Sequence, residues 1–284
     1  MLNQLLFPVA KRFVSGQTIQ DAVTAVRRLN ASGIRTTLDV LGENVSDRRA
    51  ADAAVATYLE TLDWIQREGL SSNVSLKLTQ MGLDIDRDYC LANVARICER
   101  ATAGNNFVRI DMEGSAYTER TLNFFYELFQ KHQNVGVVIQ AYLHRSEQDV
   151  RRLIERGARV RLCKGAYKEP PSLAVQTMAA VRQNFMSLAS LLLSKGNHPA
   201  MATHDDVLIS STKNYVAQHQ LPKDGFEFQM LYGVRSETQR QLAAHGYSMR
   251  VYVPFGTHWL PYFYRRMRER KENVAFVLKN LFRK

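Results

Sequence analysis

The segment Arg250-Val251-Tyr252-Val253-Pro254-Phe255-Gly256 runs into Trp259, Pro261 and the adjacent pair Arg265 and Arg266. A β-branched stretch stopped by Pro-Phe-Gly reads as a strand ending in a loop, followed by a helix whose first turns carry both arginines. Two guanidinium forks near the carboxyl end of a strand can grip one carboxylate; the alternative is a basic, solvated helix face. A second dense stretch, Lys164-Gly165-Ala166-Tyr167-Lys168-Glu169-Pro170, sets glycine beside lysine and so permits close backbone approach to phosphate oxygens. In Thr203-His204-Asp205-Asp206 a single histidine next to aspartates suits hydrogen bonding or a helix cap better than a metal, and no metal is expected. No GxGxxG follows a strand, so a Rossmann-type dinucleotide site is not indicated.

Short β-rich runs that alternate with amphipathic stretches must position these groups. The runs are Arg35 to Leu41, Asn73 to Leu78, Phe107 to Met112, Val135 to Ala141, Ala158 to Cys163, Pro199 to Thr203, Phe226 to Leu231 and Met249 to Val253. Helical periodicity covers Asp47 to Glu68, Tyr89 to Ala103, Thr118 to His132, Glu147 to Arg156, Leu173 to Ser194, Asp206 to His219, Ser236 to His245, and Leu260 onward. Eight strands alternating with eight helices predict an α/β fold, a (β/α)8 barrel over residues 35–284. Residues 1–34, with Asp21 to Leu29 helical, form an added N-terminal helical segment packing on it.

Strand phase links the fold to chemistry. In Val108-Arg109-Ile110-Asp111-Met112-Glu113, Val74-Ser75-Leu76-Lys77-Leu78 and Val160-Arg161-Leu162-Cys163 polar residues alternate with apolar ones. One face packs under helices while the other points into the barrel with Lys77, Asp111 and Arg161. Charges there are costly unless they lie near the open top and meet a ligand or one another. Two readings follow, an active site at the carboxyl ends of the strands or an internal ion-pair layer.

Composition narrows the classes. The chain has 284 residues, 45% of them hydrophobic, and no stretch long and apolar enough to span a bilayer. Cys90, Cys98 and Cys163 lack metal or disulfide spacing, which suits a reducing, cytoplasmic interior. The net charge of +11 could serve nucleic acid, an acidic membrane surface or an anionic substrate and cofactor. Neither a zinc finger, an RNP motif nor aromatic-basic interleaving is present, so no nucleic-acid partner is expected. Arg268, Arg270, Lys271, Lys279, Arg283 and Lys284 near the C-terminus would suit either anionic lipid headgroups or a solubilising face. Lys77 and Lys164, at strand ends, would also fit a Schiff-base aldolase.

Taken in order, Leu38-Asp39-Val40-Leu41-Gly42-Glu43, Ser75 to Gln80, Arg109 to Glu113, Gln140 to Leu143, Arg161 to Glu169, Thr203-His204-Asp205 and Tyr252 to Gly256 with Arg265-Arg266 resemble the motif series of the proline dehydrogenase family, over the chain from about Arg35 to its end. The resemblance implies a distorted TIM barrel that binds FAD non-covalently, oxidises L-proline to Δ1-pyrroline-5-carboxylate and passes electrons to a membrane quinone. The length resembles the monofunctional bacterial form, with a separate pyrroline-5-carboxylate dehydrogenase as pathway partner and peripheral contact with the inner face of the cell membrane. Carried over by motif, Lys77, Arg265 and Arg266 would hold the substrate carboxylate and Tyr252 would pack on the proline ring. Asp111 would be the carboxylate needed for activity and Arg161 would lie at the flavin. Met112, Gln140, Lys164, Gly165, Ala166, Thr203 and His204 would contact the cofactor, and Glu43 would pair with Arg265 when the site closes. A 4-hydroxyproline dehydrogenase of the same fold is the near alternative, against which the bulk of Tyr252 argues.

Overall fold

The protein is described by a computed structural model over residues 7–269. Eight parallel strands, β1 (Arg35–Val40), β2 (Ser72–Leu76), β3 (Val108–Ile110), β4 (Val135–Gln140), β5 (Arg159–Cys163), β6 (Ala200–Ala202), β7 (Glu227–Leu231) and β8 (Ser248–Phe255), pair in sequence order, and β8 closes on β1. The helices are α1 (Ile19–Asn30), α2 (Arg48–Arg67), α3 (Arg87–Ala103), α4 (Ser115–Lys131), α5 (Ser146–Glu155), α6 (Met178–Lys195), α7 (Asp206–Gln218), α8 (Ser236–Ala244) and α9 (Trp259–Glu269). The expected (β/α)8 barrel is present. Every residue of β2 and of β4 is buried, as a sheet covered by helices on the outside and filled by side chains within requires.

Local chemistry sets the helix starts. Thr18 Oγ1 accepts from the Asp21 amide while the Asp21 carboxylate accepts from the Thr18 amide, a reciprocal cap contributing about 1 kcal/mol to α1. Single side-chain caps from Asp47, Asp86, Thr177 and Asp205 open α2, α3, α6 and α7. The expected helix from Leu173 begins instead at Met178, because Ala174 forms a bridge with Leu143 and Thr177 caps the helix only afterwards. Strands β2 and β3 end at Leu76 and Ile110, so Lys77 and Asp111 stand just past the strand ends rather than within them.

The N-terminal segment packs at the seam of the barrel. Helix α1 packs against β1 and β8 and buries Ala22, Val23 and Val26 in the main core. Helix α9 joins a separate cluster in which Trp259, Tyr262 and Phe263 pack with Phe13, Val14 and Leu41, the residue that follows β1. Thus the added helix lines the seam of the barrel, and the last helix lies against the carboxyl end of β1, where Arg265 and Arg266 can reach the barrel mouth.

Candidate active site

Five strands contribute to one polar cluster at the carboxyl end of the barrel. Asp39 comes from β1, Ser75 from β2, Arg161 from β5 and Tyr252 from β8, while Lys77 and Asp111 immediately follow β2 and β3. The register sets Asp39 beside Ser75 and Ser75 beside Arg109, so the polar residues of adjacent strands fall at matching heights. Asp111 is the hub. Its Oδ1 accepts from Arg161 Nη1 at 2.7 Å and from Ser75 Oγ at 2.6 Å, and its Oδ2 accepts from the Tyr252 hydroxyl at 2.7 Å. Lys77 Nζ lies 3.2 Å from Asp39 Oδ1 and 3.9 Å from Asp111 Oδ2. The Arg161 guanidinium also sits over the Tyr252 ring, 5.4 Å from its centroid.

The protonation states follow from burial and charge. Burial alone would lower the pKa of Lys77, but Asp39 and Asp111, with Glu43, raise it above its ordinary value, so the ammonium persists. Burial raises Asp39 and Asp111 raises it further, against the pull of Lys77. Burial, then Asp111 and Asp39, push the Tyr252 phenol well above its usual pKa, so it stays a hydrogen-bond donor. Lys77 and Arg161 thus face Asp39 and Asp111 in a poorly solvated site. Removing one partner would strand another charge at a cost of about 3 to 5 kcal/mol.

Glu43 and Arg265 form a second pair, with Arg265 Nη1 donating to Oε1 at 2.6 Å. Both side chains remain partly accessible. The pair links the loop after β1 to α9. The neighbouring Arg266 guanidinium lies over the Tyr262 ring at 5.2 Å. Arg265 thus meets Glu43, and Arg266 the Tyr262 ring.

The loops after β4, β5 and β6 hold the remaining predicted residues. Gln140 Nε2 donates to the Glu113 carbonyl at 3.0 Å, and its Oε1 accepts from the Ala166 amide at 3.4 Å. Gly165 has φ +119°, and a Cβ there would lie 2.3 Å from the Tyr142 ring, so only glycine fits this turn. Lys164 Nζ at 3.2 Å and Arg182 Nε at 2.9 Å both meet Asp205 Oδ2. Thr203 Oγ1 accepts from the Asp205 amide, and His204 Nε2 accepts from the Leu231 amide at 2.9 Å. Met112 is buried beside Asp111 in sequence. An anionic dinucleotide fits this donor set: Lys164 and Arg182 are partly exposed, and Arg161 Nε is buried with no hydrogen-bond partner among the described residues.

Sequence reasoning assigned no role to Asp39, Ser75 or Arg182. The alternation Thr37-Leu38-Asp39-Val40 carries the inward polar phase that could have revealed Asp39. Arg182 gives no such signal, because its meeting with Asp205 is a contact between separate βα units. Deeper in the barrel, Glu227 binds Arg250 through both carboxylate oxygens at 2.9 and 3.0 Å, and Arg109 Nη1 donates to the Arg159 carbonyl at 2.6 Å. An internal ion pair therefore lies below the cluster at the mouth. Lys77, Asp111 and Arg161 themselves form ion pairs at the mouth, so the ion-pair reading and the active-site reading are both compatible with their geometry.

The proline dehydrogenase family model matches residues 22–279. The chain is 44% identical over 275 residues to proline dehydrogenase 1 of Bacillus subtilis, a match covering 97% of this chain and 91% of that protein. It is 37% identical over 288 residues to the proline dehydrogenase of Deinococcus radiodurans, covering 100% and 93%. Among solved structures, proline utilization A from Bdellovibrio bacteriovorus inactivated by N-propargylglycine superposes with a TM-score of 0.86 at 26% identity. That match covers 93% of this chain but only 33% of the longer protein.

Proposed function

The chain belongs to the proline dehydrogenase family, whose reaction is the first step of proline catabolism, and on that premise we propose that it oxidises L-proline to Δ1-pyrroline-5-carboxylate using FAD, with a membrane quinone as electron acceptor. The observation that carries this reading is the convergence of Lys77, Asp111, Arg161 and Tyr252 at the strand ends, next to a loop able to receive a dinucleotide. L-Proline is a compact ring with one carboxylate, so Lys77, Arg265 and Arg266 can fix its orientation by charge-assisted hydrogen bonds. Tyr252 supplies an apolar ring surface for the pyrrolidine, held in place by its hydroxyl bond to Asp111. Asp111 also holds Arg161, so one carboxylate positions groups on the substrate and cofactor sides.

Arg161, Lys164 and Arg182 would offset the negative charge of the cofactor, and Met112, Gln140, Gly165, Ala166, Thr203 and His204 would line it. FAD held there would supply the two-electron redox chemistry, in which the ring carbon next to nitrogen that bears no carboxylate gives up a hydride and the nitrogen a proton, leaving the C=N bond of the product. The Glu43 and Arg265 pair would close the mouth over substrate. The barrel supports a catalytic layer at its carboxyl end, the usual location for chemistry in this fold.

Peripheral membrane contact through the basic C-terminal residues and a separate pyrroline-5-carboxylate dehydrogenase complete the proposal. Residues Arg270 to Lys284 lie outside the described residues, and among the described residues no helix is long and apolar enough to cross a membrane. The direct test is absorption spectroscopy of the purified protein followed by quinone-analogue reduction with L-proline. A flavin spectrum that bleaches on adding proline is expected. A folded protein that binds no added FAD would overturn the cofactor reading.

A further inference from the structure

A cavity lies at the opposite end of the barrel. It has a volume of about 860 Å3 and opens around the amino-terminal ends of the strands, with Arg35, Arg159 and Arg250 in its wall and no aspartate or glutamate among its lining residues. Arg35 opens β1 and Asp39 lies four residues further along, so this cavity is ~13 Å below the proline-facing cluster along the strand. It is large enough for a small molecule.

Charge there is unbalanced. Of the three arginines, Arg250 is paired with Glu227, whereas Arg35 and Arg159 are exposed and form no ion pair with a described residue. Arg159 instead lies over the Phe107 ring at 5.3 Å, and the buried Arg109 lies over that ring at 4.8 Å. Among the described residues Arg109 Nη1 donates to the Val137 and Arg159 carbonyls, and its Nε meets no hydrogen-bond partner. Four guanidinium groups and one carboxylate thus lie at this end of the barrel, two of the guanidiniums over the Phe107 ring. Asn105 and Asn197 add amide groups to the cavity wall.

We propose that this amino-terminal cavity binds a small anion bearing at least two oxyanion groups, held by Arg35 and Arg159 at its mouth. The guanidinium fork matches phosphate and carboxylate oxygens alike, and the carboxylate-free wall favours multivalent anions over cations. Such a ligand would also offset the charge of Arg109. Its site is separate from the substrate and cofactor groups at the other end.

The experiment is a thermal-shift and calorimetric titration of the purified enzyme in saturating FAD at low ionic strength, with inorganic pyrophosphate and citrate as separate arms. Saturable stabilisation by either is expected, weakening as NaCl rises towards ~0.3 M because exposed charges are screened. Preference for pyrophosphate would identify phosphate chemistry, and preference for citrate would identify carboxylate chemistry. Arg35→Ala and Arg159→Gln change exposed side chains at the barrel rim and should each weaken binding about tenfold. Lys164→Gln, at the other end, should leave it unchanged. Absence of saturable binding in both arms would overturn the site, as would wild-type affinity in both arginine variants.

Discussion

Lys77 illustrates how one side chain can be both structural and functional. Its ammonium faces Asp39 and Asp111, yet an ammonium has three donors, so a further oxyanion can still be engaged. On the proposed reading Lys77→Met should raise the KM for proline by roughly ten- to a hundredfold, the equivalent of one charge-assisted hydrogen bond. Steady-state kinetics on a variant whose fold is checked by circular dichroism measures this; an unchanged KM would confine Lys77 to a structural role. Glu227 gives the matching prediction for stability. Although burial opposes it, Arg250 holds the Glu227 carboxyl down at about 2, against an ordinary 4.5. A depressed pKa adds stability above pH 4.5 that is lost as pH falls towards 2, on the order of 3 kcal/mol. Glu227→Gln should therefore be less stable at neutral pH and lose less on acidification, as denaturant melts at pH 7, 4 and 3 would record.

At the level of elements, strand register decides which side chains can share the interior. Gly136 on β4 stands beside Arg109 on β3 and Arg159 on β5, and an added Cβ would lie 2.5 Å from both Arg109 Nη1 and the Arg159 carbonyl oxygen. The missing side chain is the space that the Arg109 guanidinium occupies. Gly136→Ala should destabilise the protein by about 1 to 3 kcal/mol, since the arginine or the strand must move. A chemical melt checks the value. Wild-type stability would mean that Arg109 has another accommodating rotamer. The β2 and β3 boundaries show the converse effect. Ending these strands early frees the backbone after Leu76 and Ile110 to set Lys77 and Asp111 at the mouth.

Across the whole molecule, the two ends of the described chain meet. Phe13 is fully buried and its ring lies 6.4 Å from that of Phe263 on α9, the helix that carries Arg265. Phe13→Ala would leave a cavity under α9 at a cost of about 3 to 5 kcal/mol. Because this cluster and the Glu43 pair hold α9 near the mouth, its placement should loosen before the barrel does. On the proposed function the expected result is a higher KM for proline with cofactor content retained, measured by kinetics and flavin absorbance on the same preparation. Equal losses of both would indicate collapse of the entire barrel.

Sequence by itself determined the eightfold alternation, because strand and helix periods are written in local hydrophobic spacing, and strand phase turned Arg161 inward, whereas Lys77 and Asp111 stand one residue past the ends of their strands. The ordered motifs pointed to the family that the comparisons establish. Tertiary structure decided that Asp111 bonds both Arg161 and Tyr252, groups 50 and 141 residues away, and that Arg265 meets Glu43 while Arg266 lies over Tyr262. It also decided that α1 packs at the barrel seam and that a basic cavity lies beneath the site. Periodicity describes which way a residue faces on its own element; which distant residue it meets depends on the closure of the barrel, where side chains far apart in sequence compete for the same small interior.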